Sequence, residues 1–152
     1  MKKLFCILFA AIVAASCAKE TEKADITGAW SYVSGTVKVD GVAVPSYDAE
    51  RFIDMKSAIF TFNADGTLKY EFYVLGDSYL TGDYLLNRKT MQLDMTIGNE
   101  SIFPITVKKL TDKEMIWAFE ENANMDYSDG DFHYNTNDKH LIRQEWFFTK
   151  LQ

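Results

Sequence analysis

The densest cluster of potential ligand groups in this chain is acidic and lies in residues 126–133, Asp-Tyr-Ser-Asp-Gly-Asp-Phe-His. Oxygen ligands around a glycine turn can surround a hard cation such as Ca²⁺. The candidate metal ligands are Asp126, Asp129 and Asp131, with His133 beside them. Their spacing is not that of an EF-hand loop, and Asp, Gly and Asn favour turns in any solvated loop. A weak cation site and a simple exposed loop are both open, and we predict the loop.

Acid–base catalysis has little support in the sequence. His133 and His140 are the two histidines, and neither lies in a recognisable nucleophile motif. The paired carboxylates Glu120 and Glu121 could in principle hydrolyse a glycosidic bond, but adjacent residues at a strand end point apart. We therefore expect no enzyme activity and no cofactor, and a hydrolase is the least supported function.

Aromatic side chains, 14% of the chain, are the third group that could form a site. Inside a barrel of about eight strands, such side chains either fill the interior or line a site for one small ligand. A polar group among them can orient that ligand or satisfy its neighbours. The predicted ligand-binding residues are Phe52, Tyr70, Phe72, Tyr84, Trp117 and Gln144.

The N-terminal residues have the layout of an export signal. Met1-Lys2-Lys3 gives a positive start, an apolar run follows from Leu4 to Ala15, and small residues precede Cys17. The apolar run is shorter than the roughly 20 residues that a membrane-spanning helix needs. Ala14-Ala15-Ser16-Cys17 resembles the lipobox of bacterial lipoproteins, which implies that Cys17 is lipidated. Cleavage by ordinary signal peptidase, giving plain secretion, and an uncut signal are the alternatives.

The lipobox resemblance implies a domain organisation and an address. Residues 1–16 are the expected signal peptide and 17–25 a lipidated flexible tether, and 26–152 remain for a single domain, which the alternation described below predicts to be a β-barrel. The expected location is the bacterial cell envelope, with the lipid on Cys17 in the outer membrane and the periplasmic or surface face left open.

Charge narrows the choice of partners. The formal net charge is −6, and loss of Lys2 and Lys3 with the signal leaves 14 basic residues against 22 acidic ones, a charge of −8. Nucleic acid is a poor partner for such a chain. We expect a monomer that meets the membrane only through its lipid.

Beyond residue 25 the hydrophobic pattern alternates with period two and is interrupted by Gly, Asn and Asp at short intervals. This pattern is typical of consecutive hairpins. Thr90 to Ile97 alternates most cleanly, and Asn63 to Gly66 offers a tight turn. The fold class predicted is all-β, an up-and-down antiparallel β-barrel of about eight strands, with a bend or bulge at Gly82.

Two connections are longer than a hairpin needs. In Asp40 to Lys56, Gly41 and Pro45 break the chain before Ser46, which can cap one short helix that carries Ala49, Phe52 and Ile53 on one face. This helix could close one mouth of the barrel, and we expect any ligand to enter beside it. Glu120 to Lys139 is acidic and without periodicity, so we predict a long exposed loop.

Two motifs resemble the lipocalins. Gly28-Ala29-Trp30 resembles their Gly-x-Trp element, and residues 62–67, Phe-Asn-Ala-Asp-Gly-Thr, look like a hairpin of lipocalin-like lipoproteins of the Bacteroidetes type. The resemblance implies that Trp30 plugs the base of the barrel, with Arg143 as the basic residue over its indole.

The expected function is that of a membrane-anchored envelope lipoprotein whose lipocalin-like barrel binds a small, partly apolar ligand. The alternative is a solid-core interaction module whose surface contacts an envelope protein or glycan. A cavity continuous with the mouth would favour the first, and a filled interior with an exposed aromatic patch would favour the second.

Overall fold

The computed structural model describes residues 24–45, 57–73, 77–102, 104–124, 127–129, 132–134 and 139–152. Within these residues the backbone forms β-strands and no helix. The strands are β1 Gly28–Val39, β2 Val42–Ala43, β3 Ile59–Phe62, β4 Thr67–Tyr73, β5 Asp77–Asn87, β6 Gln92–Ile97, β7 Glu100–Ser101, β8 Ile105–Leu110, β9 Glu114–Asn124, β10 Tyr127–Asp129, β11 Phe132–Tyr134 and β12 Lys139–Lys150.

Eight of these strands form a closed antiparallel barrel. Each pairs with the next along the chain, in the order β1, β3, β4, β5, β6, β8, β9 and β12, and β12 pairs with β1 to close the ring. The all-β, eight-stranded, up-and-down prediction is therefore confirmed. Short strands β2 and β7 extend the edges of β1 and β6, and β10 pairs only with β11. The predicted short helix lies outside the described residues.

The prediction of a long loop over residues 120–139 is wrong at both of its ends. β9 continues to Asn124, which pairs with Lys139 at the start of β12, and the backbone of β10 and β11 forms a separate hairpin. Strand pairing continues here because it satisfies backbone N–H and C=O groups whatever the side chains are. The side chains of this segment are acidic and show no hydrophobic alternation, so the sequence did not indicate that the strands extend into it.

Two glycines have roles that differ from their predicted ones. Asp40 and Gly41 have φ values of 50° and 85° and form the two-residue turn that joins β1 to β2. An Asp-Gly pair is a strong hairpin signal because both positions need positive φ. The β4–β5 register passes Gly82 without a shift, so there is no bulge. A Cβ there would lie 1.7 Å from the Thr96 carbonyl oxygen, so close backbone approach requires this glycine.

Trp30 lies in the core at one end of the barrel, as predicted. Its side chain is 0% exposed, and its Nε1–H donates to the Ile26 carbonyl oxygen at 2.7 Å. The predicted basic partner is wrong. Lys150 Nζ lies 5.1 Å from the centre of the indole ring, because Trp30 pairs in register with Lys150. Arg143 pairs with Lys38 farther along the strand, and its Nε donates to Glu120 at 2.7 Å.

Residues ahead of β1 also pack against this end. Ala24 and Ile26 are buried. The Arg88 guanidinium donates to the Ala24 carbonyl oxygen and pairs with the Asp25 carboxylate at 3.3 Å. A hydrogen bond from the Thr27 backbone N–H lowers the pKa of Asp25, with smaller help from Arg88 and Lys150. The chain therefore enters the barrel across its closed end.

The two ends of the barrel differ in their connections. At the end that holds Trp30, the base, three short turns join β3 to β4, β5 to β6 and β8 to β9. The connections from β1 to β3, β4 to β5, β6 to β8 and β9 to β12 leave from the opposite end, the mouth, because antiparallel strands alternate in direction. No helix in the described residues is long and apolar enough to span a membrane.

Candidate functional site

A row of inward-facing residues, each the register partner of the next on adjacent strands, runs from the base towards the mouth. Trp30 pairs with Phe60, Phe60 with Tyr70, and Tyr70 with Leu80, across β1, β3, β4 and β5. Exposure rises along this inner row, from 0% at Trp30 and 3% at Phe60, through a half-buried Tyr70, to 43% at Leu80. Rows climb in this way because the strands of a barrel are tilted and staggered. The interior wall therefore reaches solvent on the β4–β5 side.

Stacked rings continue this surface along β4. The Tyr70 ring centroid lies 4.7 Å from that of Phe60 and 5.2 Å from that of Phe72, with interplanar angles of 28° and 24°. Offset ring pairs at such distances are favourable. Tyr70 and Phe72 are both half-buried, so the stack begins in the core and ends where solvent has access. It offers a flat apolar face to an incoming molecule.

Trp117 on β9 forms the floor below this surface. It is 0% exposed, and its ring centroid lies 4.9 Å from that of Phe60 and 4.3 Å from that of Phe148. Phe60 is on β3, and β1 and β12 stand between β3 and β9 in the barrel. The contact with Phe60 therefore crosses the interior, whereas Phe148 lies on β12, next to β9, and the three rings together fill the interior at this level. The buried indole Nε1 of Trp117 has no hydrogen-bond partner among the described residues.

Gln144 provides a polar group on the opposite wall. It lies on β12, which is four strands from β5 in either direction around the barrel. The side chain is 8% exposed, and its Oε1 accepts a hydrogen bond from Trp146 Nε1 at 3.0 Å. Phe119, its partner in register, packs edge-on against Trp146 at 4.8 Å. Gln144 is thus an oriented amide within an aromatic wall.

The structure does not bring all predicted site residues together. Tyr84 lies near the base, where its ring packs on Phe62 at 4.8 Å and its hydroxyl donates to the Asn63 carbonyl oxygen at 2.7 Å. Burial is the main reason that the pKa of Tyr84 is raised. A structural role in the first hairpin therefore accounts for Tyr84, and its assignment to the ligand site is not supported. Phe52 and Cys17 lie outside the described residues.

The candidate cation ligands are only partly described. Asp129 belongs to β10 and pairs with Phe132 of β11, whereas Asp126 and Asp131 lie outside the described residues. Among the residues that the structure describes, no group of three or more His, Cys, Asp or Glu side chains could hold a metal ion.

Two residues of the mouth were missed at the level of sequence. Leu80 faces Tyr70 across the β4–β5 pair, and Trp146 donates to Gln144. Both residues occupy inward-facing positions in the period-two pattern of their strands, and this pattern was the sequence signal that could have identified them. The alternation does not say which inward positions lie high or low in the barrel, because the stagger between strands sets that height.

The inner row, Phe72 and Gln144 carry no carboxylate, imidazole or thiol. Comparison with protein families, curated proteins and solved structures finds no match for this chain.

Proposed function

We propose that this chain is a non-enzymatic bacterial envelope lipoprotein whose lipocalin-like barrel binds a small, partly apolar ligand at its mouth. The observation that carries the proposal is the rise in exposure along the inner row, from a fully buried Trp30 to Leu80 at 43%. Apolar interior surface that reaches solvent, next to a few oriented polar groups, is the usual composition of a small-molecule site. The stacked rings of Tyr70 and Phe72 give the apolar face, and Gln144 gives the polar one.

The lipocalin-like assignment rests on the base. A tryptophan after a glycine at the start of the first strand is buried there, and a basic residue of the last strand covers its ring. Lys150 occupies the position over the indole ring that the resemblance implied for Arg143. The closed eight-stranded meander is compatible with the same assignment.

A lipid on Cys17 would also set the orientation of the barrel. Six residues lie between Cys17 and Ala24, so the base would lie within roughly 25 Å of the lipid even with the chain fully extended. Ala24 is packed at the base, and the mouth is at the opposite end. The mouth would then face away from the bilayer, and the ligand would arrive from the aqueous side of the envelope.

The ligand hypothesis is tested with an apolar fluorescent probe and the chain from residue 18 onward, which contains every residue that forms the closed barrel. Wild type should take up the probe saturably, and Phe72→Ala should weaken uptake by at least about fivefold because it removes half of an exposed ring stack. Tyr79→Ala is the matched control, since Tyr79 is 60% exposed and pairs with Glu71 on the outer face. No saturable uptake, or equal losses in both variants, would reject the mouth as a ligand site.

The anchor is tested separately. Metabolic labelling with a fatty acid should mark the wild-type chain and not Cys17→Ala, and the labelled chain should fractionate with outer membranes. Label that persists on the variant would show that Cys17 is not the attachment point.

The second candidate, a solid-core interaction module, is favoured by the filled interior at Trp117. Its ring meets Phe60 across the barrel and Phe148 on the neighbouring strand β12, and these rings fill the interior at that level. In that case the outer surface rather than the mouth would carry the recognition. Failure of probe uptake would make this candidate the better one.

A further inference from the structure

A polar groove of about 550 Å³ lies mainly on the outer face of the barrel, and its lining also includes Phe119 and Gln144 of the wall described above. Its lining comes from β1, β12, β9, β8 and β6, which are consecutive neighbours in the barrel. Thr36 pairs with Glu145, Glu145 with Ala118, Ala118 with Thr106, and Thr106 with Gln92. Four strand spacings give this row a length of about 19 Å. The groove therefore crosses the strands as one elongated track.

At the centre of the groove the surface lies close to the backbone of β9, because the side chain of Ala118 is small. Lys108 on β8 and Glu145 on β12 form an ion pair from either side of β9, where Ala118 lies between them. A second pair joins Arg143 to Glu120 at 2.7 Å. The track thus presents donors and acceptors in alternation above a shallow floor.

Two groups in the lining have no partner in the part of the chain that the structure describes. Gln92 Nε2 is buried and makes no hydrogen bond. A buried donor without an acceptor is costly, and a ligand oxygen would remove that cost. Lys38 is exposed, makes no ion pair, and lies opposite Arg143 in the β1–β12 register. Among the described residues Arg143 pairs with Glu120, so Lys38 adds a positive charge at its end of the groove.

The charge of the groove is opposite to that of the protein. Its lining holds three basic residues, Lys38, Lys108 and Arg143, against Glu120 and Glu145, whereas the whole chain has a formal charge of −6. On an otherwise acidic protein, the positive end of the groove attracts an anionic group of a ligand, whereas the surrounding negative surface repels it. Threonine hydroxyls, an amide and two ion pairs suit a ligand rich in hydroxyl groups.

We propose that this outer groove binds an acidic glycan, a carboxylated oligosaccharide whose carboxylate meets Lys38 and whose hydroxyl and ring oxygens meet Gln92 and the threonines. A peptide is the poorer fit, because the closed barrel leaves no long free strand edge for an extended peptide to pair with. The groove shares Phe119 and Gln144 with the mouth wall, but the proposal is carried by Lys38 and Gln92 and does not depend on the ligand proposed at the mouth.

The test is calorimetric titration of the chain from residue 18 onward with tetragalacturonate. Saturable, salt-sensitive binding is expected, weakened about 5- to 20-fold by Lys38→Gln because a charge-assisted hydrogen bond is lost. Gln92→Ala, which removes the buried donor, should weaken binding by about threefold or more. Lys89→Gln, an exposed lysine of the base turn, is the matched control and should bind like wild type.

Melting temperatures of all variants establish that they are folded. A neutral tetrasaccharide should bind at least about fivefold more weakly than tetragalacturonate. Absence of saturable binding, or equal losses in Lys38→Gln and Lys89→Gln, would overturn the proposal. The proposal would also be overturned if tetraglutamate bound through Lys38 more tightly than tetragalacturonate, because the ligand would then be an acidic peptide. Apolar probe uptake at the mouth should be the same in Lys38→Gln and wild type, so failure at either site is recognised independently.

Discussion

The base and the mouth of this barrel are built from the same kinds of residue and differ in how completely they are closed. At the base, Trp30 is 0% exposed, its indole N–H is bonded to Ile26, and Lys150 covers its ring. Towards the mouth, the rings of Tyr70 and Phe72 stack on each other but remain half-buried.

The difference shows that ring stacking alone does not mark a core. Burial at the base depends on the residues ahead of β1, which lie across it and bond to Arg88. Because the hydrophobic contribution scales with apolar area removed from water, the base should carry more of the folding free energy. The mouth keeps more of its apolar area exposed to water. The predictions below test this division.

The largest effect is expected at the base. Trp30→Ala should lower the free energy of unfolding by about 3–5 kcal/mol, the cost typical of a large buried aromatic. Urea titration gives the value. Leu85→Ala, at a side chain 68% exposed on β5, is the control and should change stability by less than about 0.5 kcal/mol. A loss below about 1 kcal/mol for Trp30→Ala would mean that the base is not the main core.

The wall between the two ends has its own tight point at Gly82. Gly82→Ala should destabilise the barrel by about 1–3 kcal/mol or more, since the added methyl must displace the Thr96 backbone. Gly98→Ala tests whether glycine is needed merely for its φ of 64°, because a Cβ there meets nothing within 4 Å. The Gly82 variant should be the less stable of the two in thermal unfolding, and the reverse order would contradict the close-approach argument.

A smaller effect is expected at the mouth. Phe72→Ala should cost about 1–2 kcal/mol, well under the value for a fully buried ring, because much of its area is already exposed to water. A bound apolar probe should raise the melting temperature of wild type and have less effect on this variant. A stability loss equal to that of Trp30→Ala would remove the distinction between the two ends.

The smallest effect concerns pH, at one carboxylate from each end. Hydrogen bonds from the Thr67 hydroxyl and backbone N–H lower the pKa of Asp65 in the base turn. His140 and the Leu141 backbone N–H lower the pKa of Asp40 near the mouth. Because each folded-state pKa lies below the ordinary aspartate value of 3.8, the stabilisation is present above that pH and is lost as pH falls through the folded-state pKa.

Asp65→Asn and Asp40→Asn should each flatten the fall of the urea midpoint between about pH 5 and pH 2. Asparagine keeps the turn conformation, since it tolerates the positive φ seen at Asp40. Curves that stay parallel to wild type over this range would show that neither carboxylate contributes to the acid sensitivity.

Local pattern determined most of the fold. The period-two alternation in segments such as Thr90 to Ile97 identified strands and their inward faces, because successive side chains of a strand point to opposite sides. Gly and Asn residues marked the reversals, as at Asn63 to Gly66, where Gly66 has a φ of 87°. Short connections between strands then made an up-and-down barrel the simplest closed arrangement.

Tertiary structure alone decided which residues meet. The stagger between strands placed Lys150 rather than Arg143 over Trp30, and it put Tyr84 near the base while Phe72 lies towards the mouth. Lys150 and Arg143 are both basic, and Tyr84 and Phe72 are both aromatic, so residue type does not distinguish the members of either pair. The choice among them depends on inter-strand hydrogen-bond register, a relation between distant segments that no local period in the sequence encodes.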